Sequence, residues 1–107
     1  MGYVSPVVKK SFEERKEKVS RLIKNSGINY NKFGIFGSYA RNDYTASSDI
    51  DFCLIVDEKP SRYLTGSLRE DADLLGADIT IVSSDYFNHS DSQFARQLRR
   101  DFMEVHR

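Results

Sequence analysis

The run Gly37-Ser38-Tyr39-Ala40-Arg41-Asn42, followed at close range by Ser48-Asp49-Ile50-Asp51-Phe52, decides how the rest of the chain is read. A Gly-Ser turn opens a short helical segment. An Asp-x-Asp alternation then leads into the apolar run Phe52-Cys53-Leu54-Ile55-Val56. Residues two apart in a strand share a face, so Asp49 and Asp51 are expected side by side, with Ile50, Phe52 and Leu54 pointing the other way. Two adjacent carboxylates repel unless a cation lies between them. A hard divalent ion such as Mg²⁺ takes oxygen ligands of this kind and leaves room for substrate phosphates. The turn supplies the complement, since free backbone N–H groups beside a hydroxyl suit a phosphate. Together the two halves point to metal-assisted chemistry on a nucleotide.

On either side, Phe33-Gly34-Ile35-Phe36 reads as a strand ending at the turn, and 43–47 as a polar loop into a strand over 49–56. Both halves of the motif therefore fall at neighbouring strand ends. After Pro60, the spacing of Leu64, Leu68 and Leu75 predicts an amphipathic helix over 61–75, weakened by Gly66 and stopped by Gly76. A third strand follows over 77–82, with Ala77, Ile79 and Ile81 as its apolar set and Asp78 on the opposite face. Taken as a central strand, it would bury that aspartate at a cost unless a metal shared with Asp49 and Asp51 relieved it. Pairing with a lysine or arginine is the bland alternative.

Upstream, residues 1–10 are expected to be loosely ordered, with Pro6 breaking any early helix. Ser11-x-x-Glu14 has the pattern of a capping box and opens a helix to about residue 25, whose face is Phe12, Val19, Leu22 and Ile23. Downstream, Ser90-x-x-Gln93 is a second such box, and the stripe Phe94, Leu98, Phe102, Val105 predicts a helix running to the C-terminus.

The combined signature resembles that of the DNA polymerase β-like nucleotidyltransferase superfamily, and at this length it is most similar to the minimal nucleotidyltransferase domains, often antitoxin partners of HEPN-domain toxins. The resemblance implies an α/β (α+β) nucleotidyltransferase fold: a small mixed β-sheet flanked by helices, in one domain spanning 1–107. It maps the family's catalytic, metal-holding carboxylates onto Asp49, Asp51 and Asp78, and its phosphate-binding turn onto Gly37 and Ser38. Arg41 and Ser48 join the nucleotide-binding set, Arg41 either neutralising phosphate charge or pinning the loop. The family usually has glycine where this chain has Asn42, a residue that tolerates the left-handed conformation better than most. The implied function is transfer of AMP from ATP to a hydroxyl on a HEPN-type toxin partner by a Mg²⁺-dependent two-metal mechanism, with the chain acting as antitoxin. In that scheme Asp78 is either a ligand of a second metal or the general base. The alternative is a non-catalytic antitoxin that neutralises its toxin by binding. Transfer to a small molecule or to RNA ranks behind both.

Composition narrows the field. At 39% hydrophobic and 30% charged residues the chain reads as soluble and globular. Sixteen basic and sixteen acidic side chains cancel, so the footprint of a general nucleic-acid binder is missing and nucleic acid is not the expected direct substrate. No apolar stretch approaches the ~20 residues of a membrane span, and the N-terminal residues have neither the apolar block of a signal peptide nor a persuasive lipidation pattern. A cytoplasmic location is expected. Cys53 cannot form an intrachain disulfide and reads as buried packing. Tyr39 and Tyr44 could stack on a base but are read first as packed aromatics. His89 and His106 are ordinary, and without a His-Cys cluster zinc has no support.

Overall fold

The computed structural model describes residues 4–106. Its sheet is built around β2 (Ile50–Val56), which pairs antiparallel with β1 (Lys32–Phe36) and parallel with β3 (Ala77–Ser83). A two-residue β4 (Met103–Glu104) adds antiparallel to the far side of β1, giving the order β3-β2-β1-β4. The sheet is mixed, as expected.

Alternation along β2 splits the interior in two. Ile50, Phe52, Leu54 and Val56 join one core with Phe12, Val19 and Ile23 of α1 (Pro6–Lys24) and with Leu68 and Ala72 of α3 (Arg62–Asp73). Cys53 and Ile55 face the other way, into a smaller core with Phe87 of α4 (Ser84–His89) and Leu98 of α5 (Gln93–Asp101). At about 25 cal/mol per Å² of apolar area, a strand buried on both faces is the main apolar contributor to such a sandwich. The remaining helix, α2 (Gly37–Arg41), is the single turn that follows β1.

Four expectations are corrected. The first helix begins at Pro6 and not at Ser11, so the loose order expected over 1–10 ends there; residues 1–3 lie outside the described residues. Proline breaks a helix only from its interior. At the first position its fixed φ suits the helix and its missing N–H is no loss, while the Ser5 hydroxyl accepts from the Val8 N–H at 3.2 Å. The third strand is an edge and not a central strand, so Asp78 is solvent-exposed and the burial cost expected for it does not arise. The last helix starts after Ser92, whose hydroxyl caps it by accepting from the Ala95 N–H at 3.0 Å, and a short α4 precedes it.

That last helix also stops at Asp101 and does not reach the C-terminus. Phe102 packs edge-on against Phe87 in the smaller core, whereas Val105 packs against the larger one and its N–H donates to the Phe33 carbonyl at 2.9 Å. Residues three apart lie on opposite faces in extended chain and on one face in a helix, so serving both cores requires the extended form. Gly34 makes room for it: a Cβ there would run into the Met103 carbonyl and the Phe102 ring. Among the described residues, no helix is long and apolar enough to cross a membrane.

Candidate active site

The antiparallel register sets Phe36 opposite Asp51, and the chain turns immediately afterwards at Gly37. Gly37 has φ +78°, and a Cβ built on it would overlap the Asp51 carboxylate. Glycine is required here twice over, for the left-handed backbone and for the space that the carboxylate occupies. The turn of α2 closes at Asn42, itself left-handed with φ 65° and ψ 33°. Its N–H donates to the Tyr39 carbonyl at 3.1 Å, and the Asp43 N–H donates to the Ser38 carbonyl at 3.0 Å. Asparagine thus fills the place usually held by glycine without opening the turn.

Parallel pairing puts Asp51 in register with Asp78, so the two project from the same face of the sheet. It is the face that carries Cys53, Ile55 and Val82 into the smaller core further along, while Ile50, Phe52, Ala77 and Ile79 point into the larger one. The alternation expected from the sequence holds on both strands. Asp49 lies just ahead of β2, exposed, and its charge reaches Asp51.

Asp51 is half-buried, and its carboxyl is pushed above the ordinary carboxylate range, first by desolvation, then by Asp78 and then by Asp49, with Arg41 pulling the other way. A negative charge held here is under repulsion that a cation would relieve. Even so, among the described residues no three His, Cys, Asp or Glu side chains are gathered into a ready-made metal cluster. Asp78 and Asp49 each act on Asp51, and the three do not close into such a cluster.

Arg41 is already engaged. Its guanidinium donates to Asp101 at 3.0 Å and to Asp43 at 3.3 Å, and the Asp101 side chain is only 7% exposed. This pair ties the end of α5 to the motif helix. Asp101 is the site-lining residue that the sequence reading missed, since nothing local links positions so far apart. Ser48 is also occupied: its hydroxyl accepts from the Thr45 N–H at 2.9 Å, and its N–H donates to the Thr45 carbonyl at 3.0 Å. The Ser38 hydroxyl has no hydrogen-bond partner among the described residues.

Tyr39 and Tyr44 pack with Phe12, at ring separations of 5.4 and 4.5 Å, and so belong to the core rather than to a base-stacking platform. His89 and His106 are exposed, and His106 Nδ1 lies 3.9 Å from the Glu104 carboxylate. Cys53 is wholly buried and its thiol is pushed up to about 12 by desolvation, so it is inert packing.

The model of the nucleotidyltransferase domain family matches residues 8–105. No curated protein matches the chain by sequence. Among solved structures, it is similar to a putative minimal nucleotidyltransferase, with TM-score 0.61 and 24% identity over 90% of this chain and 94% of that one. It is also similar to a chain of a toxin–antitoxin with AMP-PNP, with TM-score 0.61 and 18% identity over 82% and 69% of the two chains. A third is a tri-AMPylated Shewanella oneidensis HEPN toxin in complex with MNT antitoxin, with TM-score 0.57 and 15% identity over 86% and 69%. These likenesses establish a shared fold.

Proposed function

Because the chain belongs to the nucleotidyltransferase domain family, we propose that it transfers AMP from ATP to a hydroxyl on a partner protein of the HEPN toxin type, and so acts as the antitoxin. The observation that carries this reading is the pairing of Asp51 with Asp78 in register, beside Asp49 and over the side-chain-free Gly37.

Mg²⁺ suits the residues present. Its chemistry asks for one or two carboxylates plus substrate phosphates rather than an all-protein cage. Burial first, and then the negative charges of Asp78 and Asp49, disfavour the charged form of the Asp51 carboxyl, and a bound cation would offset both. Asp49 and Asp51 would hold the ion, which when bound offsets the charge that builds on the phosphates and the leaving pyrophosphate. The chain's own groups do the rest. Ser38 and the backbone N–H groups of the Gly37-Ser38 turn bind and orient the phosphates. The acceptor oxygen forms a bond to the α-phosphorus, the bond to the bridging oxygen breaks, and pyrophosphate leaves with that electron pair. The acceptor proton passes to Asp78, the exposed carboxylate on the same face. Arg41, held by Asp101 and Asp43, keeps the α2 turn fixed and lends positive charge to the site.

Two relatives by fold support the nucleotide and the partner: one holds AMP-PNP in a toxin–antitoxin, the other pairs an AMPylated HEPN toxin with an MNT antitoxin. A cytoplasmic location fits this reading. The test incubates the chain with labelled ATP, Mg²⁺ and a co-expressed HEPN-type partner. Label is expected on the partner and absent with Asp51→Asn. Co-elution without label at any Mg²⁺ concentration would leave the antitoxin acting by binding alone.

A further inference from the structure

Helix α3 displays a solvent face with an unusual internal order. Residues four, seven and eleven apart share a helical face. Arg62, Gly66, Arg69 and Asp73 form one such stripe, and Tyr63, Ser67, Glu70 and Leu74 the one beside it. Leu74 continues the helical path as the cap residue, at φ −64° and ψ −19°. Tyr63 and Leu74 are 81% and 83% exposed, the two most exposed large apolar side chains described, and they stand at opposite ends of the same stripe. Charge is segregated as well. Beside the first turn, a groove of about 400 Å³ is lined by Lys59, Arg62 and Arg69 with no carboxylate. Beside the last, one of about 350 Å³ has Glu70, Asp73 and Asp78 in its wall, with Arg69 shared between the two grooves, so this end is acidic on balance. Neither Arg62 nor Asp73 has an ion-pair partner among the described residues.

We propose that this face is a docking surface for a second copy of the chain, with the two α3 helices packed antiparallel across a two-fold axis. An isologous contact requires a patch that is complementary to itself: if residue i meets j, then j meets i. Both stripes meet that condition when reversed. Arg62 falls opposite Asp73 of the other copy, and Tyr63 opposite its Leu74. At the centre Gly66 faces Arg69, whose Nε donates to the Ile79 carbonyl of its own chain at 3.1 Å. Among the described residues, nothing beyond the helix's own backbone lies within 4 Å of the space a Cβ on Gly66 would fill, so the two helices can approach closely there. The Asp73 carboxylate of each copy then meets the basic groove that Lys59 and Arg62 line on the other. A parallel arrangement would set cation against cation at one end and carboxylate against carboxylate at the other. A partner that was simply acidic or simply basic would match only half of the face.

The test is sedimentation velocity across concentrations up to the millimolar range, on the wild type, Arg62→Asp, Asp73→Arg and the double reversal, with melting curves to show that each is folded. Wild type is expected to pass from monomer to dimer. Each single reversal alters two symmetry-related contacts, and is expected to weaken dimerisation by about tenfold or more. The double reversal is expected to return it to within about threefold of wild type, because exchanging the signs preserves the pairing. If a reversal fails to fold, Tyr63→Ser and Leu74→Ser carry the same expectation of weakening. A monomer at every concentration, a dimer indifferent to the single changes, or a double reversal no better than the singles would overturn the proposal. None of these readouts depends on nucleotidyl transfer.

Discussion

Gly37→Ala separates the two demands placed on that position. The backbone stands at φ +78°, and forcing a residue with a Cβ into the left-handed region costs about 1–2 kcal/mol. The added carbon would also overlap the Asp51 carboxylate, whose short side chain must leave its rotamer, for about 0.5–1.5 kcal/mol more. The total is roughly 2–3 kcal/mol, or a fall in melting temperature of roughly 10–20 °C for a domain of this size. Gly76→Ala supplies the internal control. Gly76 has φ +71°, and its added carbon would meet only the end of the Arg15 guanidinium, a group able to swing aside. It is expected to cost the backbone term alone and to leave AMP transfer unchanged, whereas Gly37→Ala displaces Asp51 and abolishes it. Thermal denaturation of both variants, read beside the labelled-ATP assay, makes the comparison. A Gly37→Ala protein no less stable than Gly76→Ala, or one that transfers label at the wild-type rate, would refute the reasoning.

Asp51→Asn is expected to melt at or above the wild-type temperature at neutral pH while losing transfer. Because the folded-state pKa of Asp51 is raised, the native state binds the proton more tightly than the unfolded chain. The destabilisation is therefore absent below the usual carboxylate range and grows as pH rises through the folded pKa, so the gain over wild type should shrink on acidification. Removing the Asp101 carboxylate by Asp101→Ala strips Arg41 of its best-buried partner and is expected to cost about 1–2 kcal/mol by chemical denaturation. With its thiol buried and pushed up to about 12, Cys53 should resist thiol reagents in the native protein and react only on unfolding, at a rate that follows denaturant.

What could be read in the sequence was whatever a local period encodes. Strand alternation gave the two faces of β2 and set Asp78 opposite its strand's apolar residues, and both hold. Register is a different matter. That Asp51 and Asp78 stand side by side depends on β2 and β3 pairing in parallel across α3, and that β3 is an edge depends on which strand fails to arrive beyond it. Neither has a local signal. Pro6 was misleading because one residue type both starts and breaks helices, and only the Ser5 cap distinguishes the roles. The stripe from Phe94 to Val105 fits a helical period until Phe102, where two cores on opposite faces of the sheet compete for the chain and the extended form wins. Arg41 and Asp101 meet across most of the fold, and no motif spacing reports such a pair.

The approach of β4 to Gly34 bears on the order in which the molecule assembles and frays. Ile35 pairs with Met103 across about seventy residues of intervening chain, and only two residues contribute to that ladder. Closing so long a loop carries an entropic cost that two pairings scarcely offset, whereas β1 and β2 close a short one over five registered pairs. The fourth strand should therefore dock after the other three have formed and detach before them. Amide hydrogen exchange would record this as an early-opening unit: the Val105 N–H, which holds the Phe33 carbonyl, is expected to exchange well ahead of the amides inside β2. The far edge of β1 is thus exposed from time to time in the native ensemble, and Gly34, with no side chain to guard it, is where another strand would find the least resistance.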